Sequence, residues 1–210
     1  MNILVLNGSP KGEYSITLQT VRYLEKLNPQ DNFTVLHVGQ RIKALEKDFA
    51  PAIEAIECAD VLLFSYPVYT FMAPCQLHRF IELMKEYNVN VKDKFATQIT
   101  TSKHFYDVTA HRYIQDNGQD MGLKMVRGLS ADMEDLTSKK GQQEAKDFWT
   151  HFHWCIENDY FEKCYNREYT AEHKPVSVPS VSTNPNMPLN KFIHCIVSAI
   201  QYLISLFKKS

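Results

Sequence analysis

The sequence predicts an α/β fold: a doubly wound, five-stranded parallel sheet with helices on both faces. Three observations carry this. Short apolar runs alternate with helical stripes in the order βαβαβαβαβα as far as residue 157, and that alternation implies parallel strands joined by right-handed crossovers. The runs are apolar throughout instead of alternating with polar residues, as in strands covered on both sides. The loops at 7–17, 66–73 and 100–107 have unusual composition, and each follows a strand, at the end of the sheet where doubly wound folds bind ligands.

The elements follow in order. "NILVL" at 2–6 is a buried strand bounded by a turn. Residues 16–27 place Leu18, Val21, Leu24 and Leu27 at helical spacing. "FTVLHV" at 33–38 alternates and is rich in β-branched residues, so it predicts a second strand. A short helix at 49–58 turns Ile53 and Ile56 inward, and "DVLLFS" at 60–65 is a third strand. "YPVYTFMAPC" at 66–75 reads as a loop, and 74–87 as a helix with Leu77, Phe80, Ile81 and Met84 on one face. "KFATQITT" at 94–101 is a fourth strand, 107–118 a helix, "LKMVRGLS" at 123–130 a fifth strand and 139–157 a long helix.

The character then changes. The predicted organisation is a globular domain at 1–165, a Pro-rich linker at 166–188 with four prolines between 173 and 188, and an apolar amphipathic helix at 189–207. In that helix Asn190, Lys191, His194, Ser198, Gln201 and Ser205 form one narrow polar stripe. Such a helix suits packing on its own domain, a homodimer contact, a protein partner or a membrane surface, or it begins a further region.

With 44% hydrophobic and 22% charged residues the chain is globular, and its net charge of -1 gives no electrostatic reason to expect nucleic acid. The five cysteines (Cys58, Cys75, Cys155, Cys164, Cys195) include no C-x-x-C pair. That argues against a disulfide framework, a zinc site and an iron–sulfur cluster. An N-terminus that opens on a strand, without a basic segment or cleavage site, is not a secretory signal, and the expected compartment is cytoplasmic.

In "NGSPKGEYSIT", residues 7–17, a turn precedes a helix whose first N–H groups have no intrahelical partners. With the helix dipole they make an anion site. Ser9, Ser15 and Thr17 add hydroxyls, Lys11 adds charge, and Gly8 and Gly12 allow close backbone approach. The loop is neither G-x-x-x-x-G-K-[ST] nor G-x-G-x-x-G. It suits a single phosphate, or it is an ordinary βα loop with a hydroxyl cap.

"NGSPKGEYSIT" followed by "SYPVYTFMAPCQLHRFIE" resembles the flavodoxin-like NAD(P)H-dependent FMN reductases and flavodoxin-family oxidoreductases over roughly residues 1–157. The matching positions of the second motif are Pro67, Val68, Tyr69, Pro74, Leu77, Arg79, Phe80, Ile81 and Glu82. "TTSKHFYDVTAHRYIQDNGQDMGLKMV" resembles a branch in which such domains are joined to ferredoxin-like segments; this chain has no cluster cysteines after the domain, so an iron–sulfur partner would be another protein. The resemblance implies strand order 2-1-3-4-5 and bound FMN, its phosphate held by Ser9, Lys11, Ser15, the Ile16 backbone and Thr17. The isoalloxazine ring would lie between loops 67–71 and 101–106. Pro67, Val68 and Thr70 belong to the loop offering backbone donors, and Tyr69 and Phe71 would stack on or wall the ring, unless they pack against helix 74–87. Thr101, Ser102, His104 and Tyr106 would supply donors opposite, with His104 as a cation near the reduced ring or a surface residue. Arg79 reads as a solvated pair with Glu82 and Cys75 as structural. Two positions depart from the pattern: Ile16 stands where Asn is frequent, and Glu13 puts a negative charge into the loop.

The implied activity is transfer of hydride from NADH or NADPH to FMN and on to a quinone, a free flavin or another small-molecule acceptor. The alternatives are a single-electron carrier to a protein partner and a flavin-free scaffold.

Overall fold

The computed structural model describes residues 1–163, without the side chains of His104 and Phe105. The parallel sheet has the order β2-β1-β3-β4-β5. Strand β1 (Asn2–Asn7) lies between β2 (Asn32–Leu36) and β3 (Val61–Pro67), and β3 pairs with β4 (Phe95–Thr101). The central strands bury both faces. Leu4, Leu6, Leu62 and Phe64 belong to one core cluster, while Ile3, Val5, Val61 and Leu63 belong to the other. Each side chain so buried contributes about 1.5–3 kcal/mol.

Helices α1 (Ile16–Leu27) and α6 (Lys139–Glu157) have the boundaries predicted from sequence, and they close the second cluster through Leu18, Val21 and Leu24, and through Ala145, Trp149 and Phe152. Helices α3 (Ala50–Cys58), α4 (Cys75–Glu86) and α5 (Val108–Asp120) cover the other face. Ile56 is fully buried there, while Ile53 packs at the margin.

Three predicted elements need correction. The second strand stops at Leu36, and Val38 opens a helix, α2 (Val38–Leu45), that the alternating pattern did not reveal. The third strand runs on through Tyr66 and Pro67, so the loop after it begins at Val68. The fifth position is filled by two short segments, β5 (Lys124–Met125) beside Phe95–Ala96 and β6 (Leu129–Ala131) beside Ile99–Thr101. They are separated at Gly128, where a Cβ would meet Gln98 Cγ at 2.3 Å and its carbonyl oxygen at 2.5 Å. The linker at 166–188 and the helix at 189–207 lie outside the described residues. Among the described residues no helix is long and apolar enough to cross a membrane.

Candidate functional site

The turn after β1 is shaped by Asn7, a fully buried polar residue. Its Oδ1 accepts the Ser9 N–H at 3.1 Å, and its Nδ2 donates to Gly12 O at 3.0 Å and lies 3.1 Å from His37 Nδ1. The Gly8 N–H donates to Ser65 O at 2.9 Å, anchoring the turn on β3. The Lys11 N–H donates to Ser9 Oγ at 3.2 Å, leaving that hydroxyl's own proton for another acceptor. Gly12 takes φ +56°, a conformation glycine adopts without steric penalty, inside a short 3-10 turn over Gly12–Tyr14.

Helix α1 then starts at Ile16 with Ser15 as N-cap. The Ser15 side chain makes no capping bond, so the first N–H groups of a 12-residue helix are left for another acceptor. Thr17 is buried and its Oγ1 has no partner among the described residues.

Glu13 does not bring its charge to these groups. Its carboxylate meets His37 Nε2 at 2.8 Å and Arg22 at 3.4 Å, and the hydrogen bond to His37 is the leading cause that holds it below the usual carboxylate range.

A cleft of about 250 Å³ opens beside the turn. Ten of the residues proposed from sequence line it: Ser9, Lys11, Ser15, Ile16, Thr17, Pro67, Val68, Tyr69, Thr101 and Ser102. Thr70, Phe71 and Tyr106 are not among its lining residues, and the His104 side chain lies outside what the structure describes.

Thr70 and Phe71 form the tip of a two-residue hairpin. The Tyr69 N–H donates to Met72 O at 2.9 Å and the Met72 N–H to Tyr69 O at 3.0 Å. Both tip residues have positive φ, +50° and +69°, the pattern of a type I′ turn. The Phe71 ring is half exposed and lies 5.1 Å from that of Tyr106, so the two rings meet at the surface from opposite loops. Tyr69 is exposed to a similar degree and is not buried against α4.

Lys103, Asp132 and Met133 also line the cleft and were not singled out in the sequence. Asp132 and Met133 follow β6, so applying the strand-end rule to the fifth position would have found them. Lys103 Nζ lies 3.2 Å from Asp132 Oδ2, and that bond is the leading cause that lowers the Asp132 pKa. The Ser102 N–H donates to Ala131 O at 2.9 Å, joining the two loops, while Ser102 Oγ is buried without a partner among the described residues.

Behind this wall runs a buried polar network. Tyr66 OH donates to Gln98 Oε1 at 2.6 Å, and Gln98 Nε2 donates to His111 O at 3.0 Å. Thr100 Oγ1 donates to Asp107 Oδ2 at 2.9 Å. Its proton being committed there, the His111 Nε2 at 2.8 Å must be the donor to it. Burial lowers the His111 pKa, in keeping with a neutral ring, and burial followed by the Asp107 charge raises that of Tyr66. The network ties β3, β4 and α5 to the 3-10 segment His104–Asp107, and so fixes the loop that forms the second wall.

Arg79 is drawn away from the cleft. Its guanidinium meets Glu46, Glu82 and Glu86 at 3.0, 3.0 and 2.7 Å on the outer side of α4. Cys75 is an exposed free thiol. Among the described residues no group of three or more His, Cys, Asp or Glu could hold a metal ion.

A family described as having the flavodoxin-like fold matches residues 1–144. No curated protein sequence matches the chain. Solved structures do. The flavoenzyme NAD(P)H:(acceptor) oxidoreductase FerB from Paracoccus denitrificans is 21% identical, with 73% of this chain and 97% of that one covered at TM-score 0.56. An NADH:FMN oxidoreductase, EMOB, in its apo form, is 18% identical over 73% and 88% of the two chains at TM-score 0.61. A flavodoxin from the domain Archaea is 10% identical over 75% and 99% at TM-score 0.53. At these identities the likenesses concern the fold.

Proposed function

We propose, from the premise that this chain belongs to the flavodoxin-like family, that it binds FMN in the cleft and works as an NAD(P)H-dependent oxidoreductase on a small-molecule acceptor. The observation that carries this reading is the pair of buried hydroxyls on two cleft-lining residues, Thr17 Oγ1 and Ser102 Oγ, which have no partner among the described residues. Buried polar groups are nearly always satisfied, so orphans that line a cleft call for a ligand with acceptors at both places.

The donor set fits the group. Ser9, Ser15, Thr17, Lys11 and the first N–H groups of α1 would take its phosphate, with the Ile16 N–H among them. Val68, Tyr69 and the Thr101–Ser102 segment would face its ring. The Val68 N–H already donates to Thr101 O at 3.1 Å and the Tyr69 N–H to Met72 O at 2.9 Å, so the ring's backbone donors on that wall would come from the residues after these two. Lys103 would bring positive charge to the wall opposite the turn, although Asp132 shares it. Bound FMN would supply the redox chemistry, hydride acceptance from a reduced nicotinamide and two-electron reduction of an acceptor. The protein's part is to bind, orient and exclude water. The half-exposed Tyr69 and Phe71 support admission of a second planar molecule at the mouth.

Absorption spectra of the purified protein with FMN, followed by NADH or NADPH without oxygen, test this. Bound-flavin bands that bleach with either nicotinamide are expected. Bands that ignore both would replace the reductase with an electron carrier, and a protein that takes up no FMN would refute the reading.

A further inference from the structure

The anion turn after β1 is held by a side chain outside it, His37, which ends the stretch between β2 and α2. The Asn7 amide is oriented by two backbone groups with fixed roles: the Ser9 N–H can only donate, so it faces Oδ1, and the Gly12 C=O can only accept, so it faces Nδ2. The amide therefore presents N–H to His37 Nδ1 at 3.1 Å, and that ring nitrogen must carry a lone pair. The ring proton is then on Nε2, donated to Glu13 Oε1 at 2.8 Å.

A second proton on the ring would set an N–H against the Asn7 N–H₂. The contact survives only if Asn7 turns over, which gives up both the Ser9 and the Gly12 bonds, or if His37 swings away. Among the described residues the charged groups at the ring are Glu13, which faces Nε2, and, behind it, Arg22 of α1, which holds the other Glu13 oxygen. Glu13 answers the Nε2 side alone, and nothing it does restores an acceptor role at Nδ1.

We infer that His37 is a positioning residue for the anion turn, and that the neutral ring is the form in which the turn is set for a phosphate. A second ring proton removes the lone pair that holds Asn7, so it weakens anion binding. The binding arm of the test rests on the FMN reading; the structural arm does not.

The structural arm is NMR of the ligand-free protein. The Ser9 and Gly12 amide signals and the Asn7 side-chain N–H₂ signals should move with pH at the midpoint of the His37 ring signals. In His37→Gln, which offers an acceptor and a donor but does not titrate, that movement should vanish. The binding arm compares FMN dissociation constants between about pH 5.5 and about pH 8.5, a window spanning imidazole titration. The FMN phosphate takes up a proton in the same window in both proteins, so only the difference between them counts. The loss of affinity on acidification should be about tenfold greater in the parent than in His37→Gln, equivalent to ~1.4 kcal/mol. Turn signals that ignore the His37 titration, or equal pH dependence of FMN binding in the two proteins, would overturn the inference. If neither protein binds FMN, the proposed function fails and the NMR arm still decides the role of His37.

Discussion

Gly39 is the second residue of α2, and replacing it by alanine gives opposite signs under two lines of reasoning. Helix propensity alone favours alanine over glycine by up to about 1 kcal/mol. The structure opposes this, because a Cβ at Gly39 would lie 2.4 Å from the carbonyl carbon and oxygen of Ser9 and 2.5 Å from Gly8 O. These are backbone atoms of the anion turn and cannot rotate aside. Forced backbone shifts of this kind cost about 1–3 kcal/mol, and a contact with backbone belongs at the upper end. Subtracting the propensity gain leaves Gly39→Ala less stable by about 2 kcal/mol, or a Tm lower by about 4–8 °C for a domain of this size. The displaced atoms belong to Ser9, so FMN affinity should weaken by about tenfold or more, ~1.4 kcal/mol. Calorimetry and a flavin titration measure the two effects. A Tm at or above that of the parent, with unchanged FMN affinity, would show that α2 does not constrain the turn and would refute the packing argument.

Thr17→Val removes a buried hydroxyl that no group among the described residues satisfies. It should raise stability by about 1 kcal/mol while weakening FMN binding about tenfold, and urea unfolding with a flavin titration reads both. Tyr66→Phe leaves Gln98 Oε1 buried without its 2.6 Å donor and should cost about 1–3 kcal/mol in urea unfolding. Because burial raises the Tyr66 pKa, the unfolded chain gives up this proton first; parent stability should fall as pH rises above 10, and that share of the fall should be absent in Tyr66→Phe. Burial lowers His78 and His111, so the unfolded chain takes up protons that the folded chain does not. Stability should therefore fall as pH drops below 6.5, read as a falling urea midpoint.

Elements with a strong period were legible in the sequence. Leu18, Val21 and Leu24 fixed α1 because their spacing matches a helix laid on a sheet, and the long stripe of α6 did the same. Helix α2 escaped because Val38 continues the alternation of "FTVLHV", and an eight-residue helix offers barely two turns of pattern. What ends the strand at Leu36 is tertiary: His37 turns to Asn7 and Gly39 fits against Ser9. The break between β5 and β6 is of the same kind, since Gly128 is set by its approach to Gln98 in the neighbouring strand. Residues of the two quoted motifs could be proposed because chemistry and spacing coincide there, and Ser9, Thr17, Val68 and Tyr69 among them line the cleft. Asp132 and Met133 were missed because they enter the cleft from a loop whose composition is ordinary, and Lys103 because attention in the 100–107 loop went to its hydroxyls and rings.

The hairpin tip at Thr70 and Phe71 has a consequence for anyone breeding a hardier form of this protein. Left-handed backbone costs an ordinary residue roughly 1–2 kcal/mol, and Asn-Gly sits in such a tip without that cost. A library sorted only by survival of heating would converge on Asn-Gly at these two positions, with each round counted as progress. It would also strip the ring that meets Tyr106 at the surface. Selection schemes for this scaffold should therefore hold 70–71 constant, or make turnover a condition of survival, so that heat resistance is gathered from the rest of the chain.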